Sequence, residues 1–426
     1  MDLGARLIKL GVDVRFWSQN AFADLPEPFA SRTLSVLSID SADNDPNIVA
    51  HVMAGRCIYP LWNGEAWGDW KPDACIILSD YTAARMFVGQ HLEAFGSVPT
   101  FHYCPIEGID LPPEWKAMWD TLHPVAMSHF GAEQIEKVTG TRPPMIYHGV
   151  DTDTFHPVTA KRPIYLTGKD KPVRVTSAAD CRRMWSIYIG APRIPKFWML
   201  RTDRHMPRKR YNAMLRAVTP VLYRQPGTLL MLNARPFDQG GYLPDSISKI
   251  PGVRQMLYPS QLPEEKRPMC YSLFGRDYPQ IVITMASGMD RPSLVSLYNA
   301  ADLYLSSSAE GFGLTIAEAL ACGTPAVGVK YSAVPEVIGP GGLCVAEGRT
   351  YDNEYDHKWW EIDEDAYGRA VESMILRPER LARFAKAGPM HIRATFSWDK
   401  AAIAFRDLVQ ESKWQPSSAP PKSATI

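Results

Sequence analysis

The sequence lacks long apolar runs and any excess of charge of one sign. No apolar run approaches the roughly 20 residues that a membrane-spanning helix needs, and the N-terminus lacks the apolar region of a signal peptide. Lys plus Arg and Asp plus Glu each total 46, so there is no general pull toward nucleic acid or an anionic membrane. We expect a soluble cytoplasmic protein that does not bind nucleic acid, with peripheral membrane contact left open.

Cysteine pairs and metal-ligand clusters are also missing. The seven cysteines lie at positions 57, 75, 104, 181, 270, 322 and 344 and never form a C-x-x-C pair. An odd and scattered set predicts free thiols rather than a disulfide framework or a zinc site. Asp151-Thr-Asp153 has the letters of a D-x-D motif, but we interpret it as a helix cap or turn. We therefore expect neither a metal nor a cofactor.

What is present is a chain long enough for two α/β domains. Its 426 residues, 46% of them apolar, can bury two cores. In the first part, helical and extended patterns alternate, which is typical of a parallel α/β domain. The extended patterns cover residues 12–16, 74–78, 100–103, 125–127 and 145–147, and the helical ones cover 3–10 and 131–138.

The second part repeats the alternation. Strands are predicted over residues 196–200, 228–232 and 280–284, and a helix is predicted around 214–222. We predict domains over 1–157 and 179–388, joined by a linker at 158–178. A helix at 389–413 should cross back to the first domain, and 414–426, rich in Pro and Ser, should be a disordered tail.

One segment combines a strand, a Gly-rich turn and a short helix. The apolar run ends at Leu305, Gly311 and Gly313 follow, and the helix should end near Gly323-Thr-Pro325. This layout points unpaired backbone N–H groups at the region beyond the strand, which suits phosphate or sugar oxygens. Glu310 and Glu318 lie eight residues apart here and are expected to reach one crevice.

This segment resembles the E-x7-E signature of retaining GT-B glycosyltransferases of family 4, the glycosyl transferases group 1. Two further strings look like family motifs and arrive in family order: H-G-V-D-T-D-T-F-H-P at 148–157 and L-Y-N-A-A-D at 297–302. The run 204–210 is similar to the phosphate loop of the family, with Asp203 and Arg210 where a small residue and Gly are usual. The resemblance implies two Rossmann-like domains facing across a cleft and a role in carbohydrate biosynthesis.

The resemblance also implies roles for individual residues. The catalytic set is His102, facing the donor sugar, Glu310, binding the hydroxyls of the transferred sugar, and Arg204 and Lys209, stabilising the leaving phosphate. Glu318 would bind the ribose, and the backbone of 285–288 would contact the base. The remaining substrate-binding residues are Gly311, Phe312, Gly313, Leu314 and Thr315. The expected reaction is metal-independent transfer of a hexose from a nucleotide-sugar to an unidentified acceptor, with retention.

Other interpretations stay open. The chain begins inside what should be the first helix of the family, so the first domain is predicted to lack its first strand. A catalytically impaired nucleotide-sugar-binding protein is therefore one alternative, and a nucleotide-sugar epimerase of the same architecture is another. A hydrolase using Glu310 and Glu318 is a third, although the basic loop at 204–209 would then have no purpose.

Overall fold

The chain folds into two compact α/β units. A computed structural model describes residues 2–18, 32–35, 70, 72–88, 98–167, 171–256, 267–284, 289–353 and 356–411. The first unit comprises Met1–Gly149, Asp352–Lys358 and Trp398–Ile426, and the second comprises Val150–Tyr351 and Trp359–Ser397. Among the described residues, no helix is both long and apolar enough to cross a membrane.

Short parallel sheets form the first unit. Its strands are β1 (Phe16–Ser18), β2 (Thr33–Ser35), β3 (Cys75–Leu78), β4 (Thr100–Cys104) and β5 (His123–Ala126). Its helices are α1 (Asp2–Lys9), α2 (Tyr81–Val88), α3 (Trp115–Trp119), α4 (His129–Thr139) and, after the second unit, α13 (Trp398–Glu411). Strands β3, β4 and β5 pair in parallel in that order, and β1 pairs in parallel with β2. The strand predicted at 145–147 is reduced to a single bridge between Met145 and Ala126.

Buried aromatic and aliphatic side chains fill the core of the first unit. Tyr81 stacks on Trp115 with ring centres 3.9 Å apart, and both rings also contact Trp119 edge-on. Leu122 and Ile135 are fully buried in the same cluster. The N-terminus of α4 is capped by Ser128, whose Oγ accepts from the amide of Gly131, as expected of Ser at a helix N-cap.

The second unit contains one large sheet. Its strands in spatial order are β12 (Val253–Met256), β13 (Met269–Leu273), β14 (Ile281–Thr284), β9 (Thr228–Asn233), β8 (Phe197–Thr202), β15 (Leu303–Leu305), β16 (Ala326–Val329) and β17 (Gly342–Val345). All pairs from β14 to β17 are parallel, whereas β12 and β13 add an antiparallel edge. Strands β8, β14, β15 and β16 are buried along their whole length, as in a sheet covered on both faces.

Helices and small two-stranded sheets complete the second unit. The helices are α5 (Ala178–Tyr188), α6 (Tyr211–Arg224), α7 (Leu243–Ser248), α8 (Arg291–Ala300), α9 (Leu314–Ala321), α10 (Val334–Ile338), α11 (Glu364–Leu376) and α12 (Pro378–Thr395). The two-stranded sheets pair β6 (Ile164–Leu166) with β7 (Val173–Val175), β10 (Phe237–Asp238) with β11 (Gly241–Tyr242), and β18 (Glu347–Asp352) with β19 (Lys358–Ile362).

The observed divisions differ from the predicted ones in several places. The second unit begins at Val150, not after residue 157, and residues 352–358 belong to the first unit. Residues 158–178, predicted as a linker, lie in the second unit, where β6 and β7 pair in an antiparallel hairpin. Ile164 and Leu166 are buried while Tyr165 is exposed, an alternation too short to stand out among neighbouring charged residues. The region 389–413 holds the end of α12 and then α13, not one helix. The predicted tail at 414–426 lies outside the described residues.

Candidate active site

The order in which the chain adds strands to the large sheet reverses between β8 and β15. Strand β9, which follows β8 in the chain, lies on one side of β8, while β15, β16 and β17 extend the sheet on the other. Leu200 pairs with Tyr304 in parallel register, so both strands end at the same edge. In open parallel sheets, ligands bind beyond the carboxyl ends of the strands at such a switch point. The loops after β8 and β15, which contain the basic run and Glu310, meet there.

The loop after β8 is shaped by a left-handed residue. Pro207–Lys209 form a 3-10 turn, and α6 begins at Tyr211. Arg210, between them, has φ 54°. The left-handed conformation costs a residue with a side chain about 1–2 kcal/mol of conformational free energy. This cost gives a physical reason for Gly at the corresponding place in the family pattern. The Arg210 guanidinium lies 4.0 Å from the centre of the Tyr351 ring, a cation–π contact that offsets part of the strain.

Lys209 and Glu310 form a buried ion pair between the two loops. Their Nζ and Oε1 atoms are 2.5 Å apart, and the side chains are only 9% and 10% exposed. Ser308 Oγ donates to the same carboxylate oxygen at 2.9 Å, and Arg208 Nη1 lies 3.6 Å from Oε2. The backbone amide of Glu310 donates to Ser332 Oγ at 2.9 Å. The structure thus joins two residues predicted separately, 101 positions apart, in one cluster.

The charge state of Glu310 follows from this cluster. Burial alone would raise the pKa of the carboxyl group, because a charge is poorly solvated there. The charges of Lys209 and Arg208, with the hydrogen bonds from Lys209 and Ser308, outweigh burial and hold the pKa below its usual value of 4.5. Glu310 is therefore an anion at neutral pH, able to accept hydrogen bonds but not to donate a proton.

Arg201 is a structural member of the site that sequence reasoning missed. Its side chain is completely buried at the end of β8, with the guanidinium 4.2 Å from the centre of the Tyr211 ring. Nη1 donates to Ser307 Oγ and Nη2 donates to the carbonyl oxygen of Lys209. Arg201 therefore ties the loop after β8 to the loop after β15. The signal was available, because Arg201 directly follows the apolar run Phe-Trp-Met-Leu.

Glu318 belongs to a second, hydroxyl-rich network. Tyr298 donates a hydrogen bond from its hydroxyl to Glu318 Oε2 at 2.8 Å, and the same hydroxyl lies 3.0 Å from Thr202 Oγ1. The Tyr304 hydroxyl lies 2.8 Å from Thr315 Oγ1 and 3.2 Å from the carbonyl oxygen of Thr202. Thr202 is the last residue of β8, so this network connects the predicted ribose site to the start of the basic loop.

The Gly-rich turn has the predicted form. Gly313 adopts φ 97°, which disfavours any side chain, and α9 begins at Leu314. Phe312 is buried and packs edge-on against Phe396 at 5.3 Å, so its side chain anchors the turn. Leu314 is 42% exposed. The turn and the first residues of α9 lie next to Glu310, because the Cβ position at Gly313 would be 3.5 Å from Glu310 Cβ.

Arg204 is placed differently from Lys209. Its guanidinium forms a bidentate pair with Asp238, with Nε–Oδ2 and Nη2–Oδ1 distances of 3.0 and 2.7 Å. The pair is tied to the β10–β11 hairpin, whose Gly240 amide donates to the carbonyl oxygen of His205. The Arg204 side chain is 59% exposed, so it can change partner without crossing the core. Its predicted role in phosphate binding requires that exchange.

His102 lies in the middle of β4, in the first unit. Trp119 Nε1 donates to its Nδ1 at 3.1 Å, so the proton resides on Nε2, which lies 3.1 Å from the carbonyl oxygen of Ser79. Burial lowers the pKa of His102 to about 4, although the bond to Ser79 opposes the shift. Both ring nitrogens are engaged within the protein in this conformation. The geometry is that of a neutral core histidine, and the predicted sugar contact remains a prediction.

Two further parts of the prediction concern the base and metals. Residues 285–288, predicted to contact the nucleotide base through their backbone, lie outside the described residues. Within the ranges that the structure describes, no group of three or more His, Cys, Asp or Glu side chains is arranged to hold a metal ion. The Asp151 carboxylate accepts hydrogen bonds from the Thr154 hydroxyl at 2.7 Å and from the Asp153 amide at 3.2 Å, as expected of an Asp in a turn.

Comparison with known proteins supports the resemblance for part of the chain. Residues 280–389, which contain Glu310, Glu318 and the turn between them, match the family described as "Glycosyl transferases group 1". This part of the chain is therefore similar to the group 1 glycosyl transferases. The chain is 30% identical over 228 residues to a D-inositol 3-phosphate glycosyltransferase of Rhodococcus erythropolis, which covers 51% of this chain and 44% of that protein. It is also 32% identical over 124 residues to an MMP alpha-(1->4)-mannosyltransferase of Mycolicibacterium hassiacum, a match that covers 28% of this chain and 27% of that protein.

Similar solved structures bear out the expected GT-B fold. Sucrose-phosphate synthase from Thermosynechococcus elongatus is similar at a TM-score of 0.64 and 16% identity, covering 96% of this chain and 91% of that one. Anabaena HepE in complex with UDP and glucose is similar at a TM-score of 0.57 and 13% identity, and the match covers 89% of this chain and 85% of that one. At these identities the likeness concerns the fold alone. The chain spans less than half the length of the Rhodococcus and Mycolicibacterium relatives.

Proposed function

We propose that this protein transfers a hexose from a nucleotide-sugar to an acceptor, with retention at the anomeric carbon and without a metal ion. The observation that carries the proposal is the joining of Lys209 and Glu310 at the switch point of the second sheet. The family match over residues 280–389 supports a transferase, and similar proteins include one solved with UDP and glucose. The acceptor is left unassigned.

Stabilising the leaving group is the task of the basic loop. As the bond between sugar and phosphate lengthens, negative charge grows on the β-phosphate, and preorganised cations lower the energy of that state. Lys209 and Arg208 are held next to Glu310, where the transferred sugar would lie. Arg204 would join them by leaving Asp238. The Asp238 carboxylate, only 6% exposed, would then keep the backbone amide of Gln239 as a hydrogen-bond donor at 2.9 Å.

Binding the donor is the task of the two glutamates. A carboxylate accepts hydrogen bonds from two neighbouring hydroxyl groups, which is the pattern that a ribose or a hexose offers. Glu318, oriented by Tyr298, is proposed to bind the ribose. Glu310, next to the cations that would contact the phosphate, is proposed to bind the hexose. Gly311, Gly313 and the first amide groups of α9 would face the phosphate from the other loop.

The electrostatics of Glu310 argue against the hydrolase interpretation. A glycosidase needs one carboxyl group whose pKa is raised, so that it is protonated and can donate to the leaving oxygen. The pKa of Glu310 is instead held low by Lys209 and Arg208. A fixed anion beside two cations is better suited to orienting a sugar than to acid catalysis.

Release of nucleoside diphosphate from a panel of UDP-, GDP- and ADP-sugars tests the proposal. We expect one donor to be turned over, at least by slow hydrolysis, with no loss of rate when a chelator is added. The product from a suitable acceptor should keep the anomeric configuration of the donor, measured by NMR. The matched control is Glu310→Gln, which should bind nucleotide but turn over donor slowly.

Four results would contradict parts of this proposal. No release from any donor would favour a catalytically impaired binding protein, and conversion of one nucleotide-sugar into its epimer would favour an epimerase. Strict dependence on a divalent metal would contradict the metal-free mechanism. Inversion at the anomeric carbon would contradict retention alone.

A further inference from the structure

Asp203 places a negative charge inside the basic loop. It follows the last residue of β8 and stands where the family pattern has a small residue. The side chain is only 6% exposed, and its two oxygens face two different cations. Oδ1 lies 3.0 Å from Lys209 Nζ, and Oδ2 lies 3.4 Å from Arg201 Nε. Lys209 is therefore shared between two carboxylates, Asp203 and Glu310.

Lys209 does not depend on Asp203 for its position. Its carbonyl oxygen accepts hydrogen bonds from Arg201 Nη2 and, at 3.1 Å, from Ser307 Oγ. Its amide donates to the carbonyl oxygen of Met206 within the 3-10 turn. Its ammonium group already pairs with Glu310. The backbone and the charged end of Lys209 are thus fixed without Asp203, so the main effect of Asp203 should be electrostatic.

The charge balance of the cluster shows the size of that effect. Three cationic and two anionic side chains are in direct ion contact, which leaves one net positive charge. These are Arg201, Arg208 and Lys209 on one side and Asp203 and Glu310 on the other. Removing the charge of Asp203 would raise the balance to two. Glu310 has a proposed role toward the transferred sugar, whereas nothing in the reaction calls for a second carboxylate beside Lys209.

We propose that Asp203 sets a low affinity of this site for nucleoside diphosphate by competing with the phosphate for Lys209. The inference rests on the proposed function. Asp203 acts through the charge of Lys209, without contacting the reacting atoms, and is therefore not a catalytic residue. Because of this competition, the site binds the nucleoside diphosphate product more weakly, and the product dissociates faster.

Calorimetric titration of the full chain with UDP, GDP and ADP tests this. The diphosphate that binds the wild type best should bind the Asp203→Asn variant about tenfold more tightly. This gain in affinity, about 1.4 kcal/mol, is the effect expected from removing one unit charge near a phosphate at a partly hydrated site. The monophosphate of the same nucleoside should gain less, because it reaches fewer of the cations. A purely structural role of Asp203 would not separate the two nucleotides.

The control is Glu372→Gln, which removes a carboxylate of similar kind from a surface pair with Arg224 in the same unit. It should leave all affinities unchanged. Asp203→Ser retains a small acceptor for Lys209 and Arg201 and should also tighten binding, which provides a second variant if Asp203→Asn does not fold. Unchanged or weaker diphosphate binding in a folded variant would overturn the inference. Absence of binding in the wild type would instead contradict the proposed function.

Discussion

Replacing Lys209 by Met should destabilise the protein in a way that depends on pH. Met retains most of the apolar stem of Lys but leaves Asp203 and Glu310 without the cation they share. Breaking a buried ion pair costs about 3–5 kcal/mol, because a desolvated charge remains. Arg208 stays 3.6 Å from Glu310, and Arg201 stays 3.4 Å from Asp203, so we expect the lower end, about 3 kcal/mol at pH 7.

The sign of the pH dependence follows from Glu310. In the wild type its folded-state pKa is depressed below 4.5, so its contribution to stability is complete above that pH and is lost only as the pH falls through the lower folded value. Without Lys209, the largest charge that lowers the pKa of Glu310 is gone, so burial should raise this pKa relative to the wild type. The carboxyl group of the variant should then take up a proton at a higher pH than in the wild type, and the difference in unfolding free energy between the two proteins should shrink as the pH falls.

Urea unfolding of both proteins at pH 7, 6 and 5, followed by circular dichroism, measures this difference. The matched control is Lys137→Met, which removes an exposed partner from Glu133 in a surface pair. It should change stability little at any of the three pH values. A destabilisation of Lys209→Met that stays constant from pH 7 to 5 would refute the electrostatic reasoning and indicate that packing causes the loss.

Four further outcomes are expected. Glu318→Gln should weaken nucleoside diphosphate binding by about 1.5–3 kcal/mol in calorimetry, whereas Glu310→Gln should not weaken it and should lower donor turnover; equal losses of affinity would contradict this division. Tyr298→Phe should weaken the same binding by about 1 kcal/mol, because Glu318 loses the donor at 2.8 Å; an unchanged affinity would argue against that role. Arg210→Gly should be more stable to urea than Arg210→Ala by about 0.5–1 kcal/mol, since only Gly relieves the left-handed strain at φ 54°; the reverse order would show that the strain is small. NMR of the His102 ring should show a neutral imidazole at pH 5, since burial lowers the pKa of the folded-state ring to about 4. The contribution of the neutral ring to stability is lost as the pH falls from about 6.5, the unfolded value, through the folded value. A protonated ring at pH 5 would contradict the burial of His102.

Three strands of the second sheet could be predicted because they are short, mainly apolar and separated by clear turns. Residues 228–232 and 280–284 were expected as strands and are Thr228–Asn233 and Ile281–Thr284. The Gly-rich turn was expected because Gly311 and Gly313 stand between an apolar strand and a helix, and Gly313 does adopt a positive φ. These features depend on neighbours in the chain, which a sequence displays directly.

The partners of the charged residues could not be predicted, because they depend on distant parts of the chain. Nothing near Arg204 in the sequence indicates that it pairs with Asp238, which the β10–β11 hairpin carries 34 residues later. The pairing of Lys209 with Glu310 likewise requires β8 and β15 to be adjacent, which only the topology establishes. His102 was assigned through the resemblance to the family, whereas its ring nitrogens are engaged by Trp119 and Ser79.

The position of a bound nucleoside diphosphate tests the central claim most directly. A crystal structure of the full chain with the diphosphate that binds best among UDP, GDP and ADP would show it. We predict the β-phosphate within hydrogen-bond distance of Lys209 Nζ, beyond the ends of β8 and β15, with the ribose hydroxyls at Glu318. A diphosphate bound elsewhere, with Lys209 still paired only to Asp203 and Glu310, would contradict the account.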